Sequence, residues 1–318
     1  MSERSGLGLV EAAIVAALDS LGGRADRRHI RNARVLAAVE ERIGLAPGYG
    51  YEVLLDLARP WIMPVRLVDG QGNYGDRRGD PAASFRYTES RLSPAGEVAL
   101  AAERGELAPV PIALINGNTH RQGTRPPFRP EGIIGAVREV IRRPKVTGNE
   151  LISIIGPPDF PTGCTVTGDL AALAAGRPTV LRLQASVTVG TDHRSVTVEG
   201  LPPNVNRGDV LASLAARAER RDWAVRFPDL DRTTRLPLAD VQDTAREDTD
   251  RFVCIPEPGT APDSLRDQLM DVHGIWATVP VALPRPLPAL VRQWVRAYVS
   301  EDLLTSLARL ADAVARQL

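Results

Sequence analysis

Leu67-Val-Asp-Gly-Gln-Gly-Asn-Tyr-Gly75, followed by Ala82-Ala-Ser-Phe-Arg-Tyr-Thr-Glu-Ser-Arg-Leu92, is the stretch that decides how the chain is read. A glycine-rich, turn-forming segment leads to Tyr87, with Arg86 immediately before it and Arg91 four residues after. A tyrosine is a covalent nucleophile once a neighbour lowers its pKa or a base takes its proton. Guanidinium groups suit the anionic oxygens of a phosphodiester, because they offer a rigid and permanently charged fork of donors. A lone tyrosine is more often a half-buried aromatic with its hydroxyl satisfied, so the reading rests on its surroundings.

Working outward towards the N-terminus, Val10, Ile14, Ala17 and Leu21 fall on one helical face, and Gly22-Gly23 supplies a stop. Arg24 to Arg34 then holds five arginines, among them Arg27, Arg28, Arg31 and Arg34, against one acid. It runs into a second amphipathic helix with Val35, Leu36, Val39 and Ile43 inward. Pro47-Gly-Tyr-Gly50 turns the chain into a short helix from Tyr51 to Arg59, closed by Pro60. Three short helices, a strand over Val65 to Val68 and a glycine-rich loop predict a helix-turn-helix with a wing, Tyr51 opening the recognition helix. Ser93-Pro94 starts a further helix that runs to about Arg104.

Towards the C-terminus, Leu181, Leu183, Ala185, Val187 and Val189 alternate with polar residues, a half-buried strand that Gly190 turns into a second strand. A helix is predicted from Arg207 to about Arg221, a polar acidic loop or helix over Asp240 to Asp250, a strand over Arg251 to Ile255, and a helix over Asp263 to His273. Pro280 to Pro288 reads as a linker with four prolines. Ala289 to Leu318 has no Pro or Gly, and Leu303, Leu307, Leu310 and Val314 suit one helix of ~45 Å with a short coiled-coil seam.

The 318 residues suffice for two domains with a core each, and 43% hydrophobic with 25% charged residues is an ordinary soluble balance. The formal net charge is zero, so the total carries no nucleic-acid signal. Its distribution is uneven, with 21 Lys+Arg against 17 Asp+Glu up to residue 145 and 18 against 22 beyond it. Cys164 and Cys254 have no metal-ligand spacing and predict reduced thiols. No stretch reaches the roughly 18 apolar residues of a membrane span. Leu7 to Leu21, broken by Glu11 and Asp19 and without a basic leader, is not a signal peptide, and the expected location is cytoplasmic.

Leu67 to Gly75 with Arg86-Tyr-Thr-Glu-Ser-Arg-Leu92, together with Gly156-Pro-Pro-Asp-Phe-Pro-Thr162, resembles the breakage-reunion subunit of type IIA topoisomerases, the gyrase A and topoisomerase IV A family. The resemblance implies an α+β chain. A winged-helix, CAP-like domain over 8–145 would be followed by a tower-like domain over 149–287 and the start of a coiled-coil helix over 288–318. It implies that Tyr87 attacks a DNA phosphodiester and that Arg86 stabilises charge on the phosphate. Ile30-Arg-Asn-Ala-Arg-Val35 resembles the family's segment along the DNA backbone. Arg27, Arg28, Arg31, Arg34, Tyr51 and Arg91 would then meet DNA, and Arg121 would stand near the family's apolar wedge and enter the minor groove.

The implied partners are DNA, a second copy of the chain, and a gyrase B-like protein that bears the Toprim and ATPase domains. Mg2+ and ATP would sit on that protein, with no metal on this chain. Asp229-Leu-Asp231 and Glu247-Asp-Thr-Asp250 have the closest carboxylate spacings and read as solvated acids. The chain departs from the pattern where Ile43-Gly-Leu-Ala-Pro-Gly-Tyr-Gly50 replaces the family's His-Pro-His-Gly-Asp, and its N-terminal arm and exit gate have no counterpart. Two other readings follow, a non-cleaving DNA-binding or gyrase-modulating homologue and a winged-helix transcriptional regulator.

Overall fold

A computed structural model describes residues 6–121, 123–218, 235–245, 250–296 and 298–317, with the Arg121 side chain outside that description. The chain is α+β, with short antiparallel sheets set among helices. Helix α1 (Leu9–Ser20) buries Ile14, Val15, Ala17 and Leu18. A two-residue strand β1 (Ile30–Arg31) leads directly into α2 (Asn32–Ile43), which Gly44 ends in a left-handed conformation. Helix α3 (Pro47–Ala58) starts four residues earlier than expected, because Pro47 occupies its first turn and needs no hydrogen-bonded N–H there.

Strand β2 (Val68–Gln71) and strand β3 (Glu89–Leu92) pair antiparallel, and β1 adds to the far side of β3, giving the order β1-β3-β2. The register sets Asp69 opposite Arg91, and Arg31 opposite Glu89. Helix α4 (Pro94–Glu103) opens at the predicted residue, where the Ser93 hydroxyl accepts from Gly96 N at 3.0 Å. Helix α5 (Ile112–Asn116), α6 (Pro130–Arg142) and α7 (Gly148–Ile155) complete this part, and Thr147 with Glu150 closes a capping box on α7.

Beyond it, β4 (Thr165–Thr167), helix α8 (Leu170–Ala174) and β5 (Thr179–Gln184) come next. Strands β6 (Ser186–Val189) and β7 (Val196–Glu199) precede α9 (Arg207–Ala218). The expected single strand over Leu181 to Val189 is thus two strands in two sheets, joined at buried Ala185. Strand β5 pairs with β4 and with β10 (Trp276–Val281), while β6 lies in the order β6-β7-β9-β8. In that sheet β8 (Leu238–Asp243) takes in Asp240 to Asp243, expected within a polar loop or helix, β9 (Arg251–Pro256) pairs with it, and α10 (Pro262–Met270) packs on β6 and β7.

Helix α11 (Leu287–Arg296) and helix α12 (Ser300–Ala315) replace the single long helix expected from Ala289. Leu303, Leu307, Leu310 and Val314 are buried, and α12 packs on α4 and α6, so the apolar seam is used within the chain. The Gln317 side chain reinforces this, accepting from Arg66 N at 3.0 Å and donating to Arg66 O at 2.7 Å. The proline-rich stretch is packed as well. Ala282 N donates to Thr124 O at 2.8 Å, and Leu283 is buried.

The described residues form two apolar cores. One joins α1 to α7 with Leu181, Leu183, Val279, Val281, Val291 and the buried face of α12. The other lies between the β6-β7-β9-β8 sheet, α9 and α10, around Phe252, Leu214 and Leu265. The divisions expected near 145–149 and 287–288 are therefore not divisions of the apolar packing. Among the described residues no helix is long and apolar enough to cross a membrane.

Candidate active site

The segment between β2 and β3 is a hairpin loop, and Tyr87 stands at its base. Ser84 to Tyr87 forms a turn in which Tyr87 N donates to Ser84 O at 2.8 Å. Tyr87 is 80% exposed, and Arg86 beside it is also exposed. Among the described residues no side chain hydrogen-bonds the Tyr87 hydroxyl or the Arg86 guanidinium. Gly72 faces this turn with φ +108°, a conformation unfavourable for any residue with a Cβ, and a Cβ added there would lie 3.4 Å from Tyr87 O.

A buried polar network lies under the exposed tyrosine. The Asn32 amide donates to the Thr88 hydroxyl and to the Tyr74 hydroxyl, both at 2.9 Å, and its carbonyl accepts from the Ser90 hydroxyl at 2.6 Å. Asn32 N also donates to Thr88 O at 2.9 Å, continuing the β1–β3 pairing. The Tyr74 hydroxyl donates to Glu89 O at 2.7 Å, and the Tyr51 hydroxyl donates to Ala83 O at 2.7 Å while lying 2.9 Å from the Thr88 hydroxyl. The Tyr51 ring meets Phe85 edge-on at 5.7 Å. Gly70 is required here, since a Cβ would come within 2.6 Å of the Tyr74 ring. Burial pushes both the Tyr51 and the Tyr74 phenols upward, Tyr74 the further, so each stays a neutral donor.

Tyr51 is therefore a correction. It is 7% exposed, points inward and braces the turn that carries Tyr87, so it is not part of the exposed surface expected of it. Arg91 is half-buried and tied down on two sides. Its Nε donates to Asp69 Oδ2 at 2.7 Å and its Nη1 to Arg27 O at 2.9 Å, which ties β3 to β2 and to the arginine-rich segment. Arg27, Arg28, Arg31 and Arg34 are exposed, and the Arg31–Glu89 register sets the segment beside the strand that follows Tyr87. Arg31 lies 3.8 Å from Glu89 and Arg27 3.6 Å from Asp26, both exposed contacts that weakly hold the guanidinium groups. Arg121 ends a 3-10 turn, Thr119–Arg121, and its side chain lies outside the described residues.

Sequence reading assigned no role to Asn32, Thr88, Ser90 or Tyr74. The signal was available for two of them, because Thr88 and Ser90 share by alternation the strand face of core residue Leu92. Of the carboxylate runs, 229–231 and 247–249 lie outside the described residues. Asp250 is not a solvated acid. It is 7% exposed and paired with Arg77 and Arg207. Among the described residues no three His, Cys, Asp or Glu side chains converge as a metal site. A cleft of about 630 Å³ borders the hairpin loop, lined by Arg59, Trp61, Arg66, Tyr74, Arg78 and Arg207 among others. Arg59 Nε donates to Tyr74 O at 2.9 Å across its wall.

Comparison with known proteins converges on the same segment. Residues 24–109, which hold the arginine-rich segment, α2, α3 and the hairpin loop, match the family model of the DNA gyrase/topoisomerase IV A subunit. The DNA gyrase A subunit of Haloquadratum walsbyi is 28% identical over 299 residues, 85% of this chain and 33% of that protein. The DNA gyrase A subunit of Leptospira biflexa is 28% identical over 243 residues, 66% of this chain and 28% of its own length. That of Streptococcus pneumoniae is 32% identical over 241 residues, 65% of this chain and 29% of its own. The chain thus spans about a third or less of the length of these relatives. Residues 24–109 thus carry the domain of DNA gyrase/topoisomerase IV A subunits, and the chain is similar to DNA gyrase A subunits along most of its length.

Proposed function

We propose that the chain binds DNA and that Tyr87, with Arg86 beside it, breaks and rejoins a DNA strand when a Toprim-bearing partner completes the site, as a subunit of a type IIA topoisomerase. The observation that carries this is an 80% exposed tyrosine held from beneath by a fully hydrogen-bonded buried network. An ordinary surface tyrosine does not need such support. A nucleophile does, because its oxygen must be kept within a few tenths of an ångström of the line of attack.

In the reaction the Tyr87 oxygen bonds to phosphorus as the bond from phosphorus to the 3′ ribose oxygen breaks. This leaves a phosphotyrosine at the 5′ end. Arg86 holds charge on the non-bridging oxygens. The phenolic proton passes to a base, and the leaving oxygen requires a proton or a divalent ion. That ion and ATP belong to the Toprim-bearing partner in this reading. Religation is the reverse attack by the ribose oxygen.

Arg27, Arg28, Arg31 and Arg34 contact phosphates, which positions DNA without reading its sequence and makes affinity fall with salt. In this reading α1 to α4 with the β1-β3-β2 sheet form the winged-helix unit, and the region of β4 to β10 forms the tower-like unit. Two chains paired about a two-fold axis would address opposite strands. Buried, unpaired Cys164 and Cys254 suit a reducing cytoplasm.

The test is to incubate the protein with supercoiled DNA, a divalent metal and a Toprim-bearing protein, and then to add denaturant. DNA covalently attached to protein is expected, and Tyr87→Phe should abolish it without altering folding. Salt-sensitive binding with no adduct in either protein would leave a non-cleaving DNA-binding homologue.

A further inference from the structure

We infer that Arg77 is a positioning residue for Tyr87, acting through a buried ion pair to Asp250 in the other core. This rests on the reading of Tyr87 as the nucleophile. Arg77 lies at the tip of the hairpin loop whose base carries Tyr87, and it is 5% exposed. Its Nε donates to Asp250 Oδ2 at 2.7 Å, and Nη2 also reaches that oxygen. Nη1 donates to Pro203 O at 2.9 Å, and Nη2 lies 3.3 Å from both Leu201 O and Pro202 O. The guanidinium fork is thus spent on the carboxylate and on three carbonyls ahead of α9. The contact runs both ways along the backbone, since Arg207 N donates to Arg77 O at 2.8 Å. Arg207 Nη1 stands 3.4 Å from the second oxygen of Asp250.

A buried charge pair is a poor way to gain stability, because desolvation offsets most of the attraction and apolar side chains of similar volume would serve as well. What it adds is direction. An apolar contact tolerates sliding, whereas a fork on one carboxylate and three carbonyls has a single geometry. The tip is itself stiff. Asp76 Oδ1 accepts from Arg78 N at 2.8 Å and from Gly79 N and Asp80 N, both at 3.1 Å.

The neck below the tip is closed by Ala83 N donating to Asn73 O at 3.0 Å, and Ala83 O is held by Tyr51. Tip, neck and the turn at Tyr87 therefore move as one body, and Arg77 sets that body against the β6-β7-β9-β8 sheet. The position of the nucleophile depends on a carboxylate 173 residues away in sequence.

The experiment compares wild type with Arg77→Met, in which Arg207 still counters Asp250, and with Arg77→Lys, which keeps the charge without the fork. Hydrogen exchange of the full chain reads the loop, and covalent adduct with supercoiled DNA, divalent metal and a Toprim-bearing protein reads the chemistry. Arg77→Met should speed exchange of amides in 73–83 by about tenfold while those of α6 are unchanged, as expected for a local opening. It should also cut adduct by about tenfold with DNA affinity held within about twofold, Arg77→Lys falling between, because removing one partner of a buried pair loosens what the pair orients.

Loop exchange that does not change overturns the inference, as does adduct loss matched by equal loss of DNA binding or of folded protein. A wild-type adduct untouched by Arg77→Met overturns this role alone. A wild-type chain that forms no adduct overturns the nucleophile reading and this role with it.

Discussion

The base and the tip of the hairpin loop are held by opposite kinds of chemistry. At the base, Asn32, Tyr51, Tyr74, Thr88 and Ser90 make neutral hydrogen bonds within one core. At the tip, Arg77 and Arg207 meet Asp250 across to the other core. Neutral bonds can be fully satisfied under a surface residue without placing a fixed charge directly beneath it. Charges are tolerable at the tip because each is countered, and there they choose one relative placement of two bodies that apolar packing alone would leave free to slide. The loop thus takes its local shape from one core and its orientation from the other.

The comparison is broken most forcefully at the tip. Asp250→Ala leaves two buried arginines without their shared counter-charge and should cost ~3–5 kcal/mol in urea unfolding, far more than any exposed pair. If the loss is below ~1 kcal/mol, the tip is not anchored by charge. At the base, Asn32→Ala removes the partner of three side chains at once and should cost about 3 kcal/mol, through orphaned polar groups more than through lost bonds. Thr88 and Ser90 amides should lose exchange protection with it. A sharper contrast uses Arg78, which pairs with Asp243 at 2.8 Å beside the buried pair but is itself exposed. Arg78→Ala should cost under ~1 kcal/mol, and that small loss should shrink further in high salt, as screening acts on exposed charge.

The two long-range links were differently legible. Alternation in 88–92 carries the signal that sets Thr88 and Ser90 with Leu92 on an inward face, although the sequence reading assigned them no role, and the β1–β3 pairing joins strands that lie far apart in the chain. Nothing local announces that Arg77 is buried, because arginine in a glycine-rich loop is ordinarily solvated. Asp250 was misread for the same reason, an acid in an acidic run. The C-terminal helix was misread through its own regularity. A four-three-four apolar spacing is satisfied equally by a partner helix or by α4 and α6 of the same chain, and only the break between α11 and α12 lets it fold back.

By itself the sequence pointed to the family, singled out Tyr87 with Arg86 beside it, and placed most helix starts, since motifs, caps and periodicity are local properties of the chain. Tertiary structure alone decided which tyrosine is exposed and which two are braces, that Arg91 is spent on Asp69, and that Arg77 reaches Asp250. Those outcomes depend on which surfaces meet, and burial converts the same side chain from a solvated charge into a directional tie only once a countercharge arrives from a distant part of the chain.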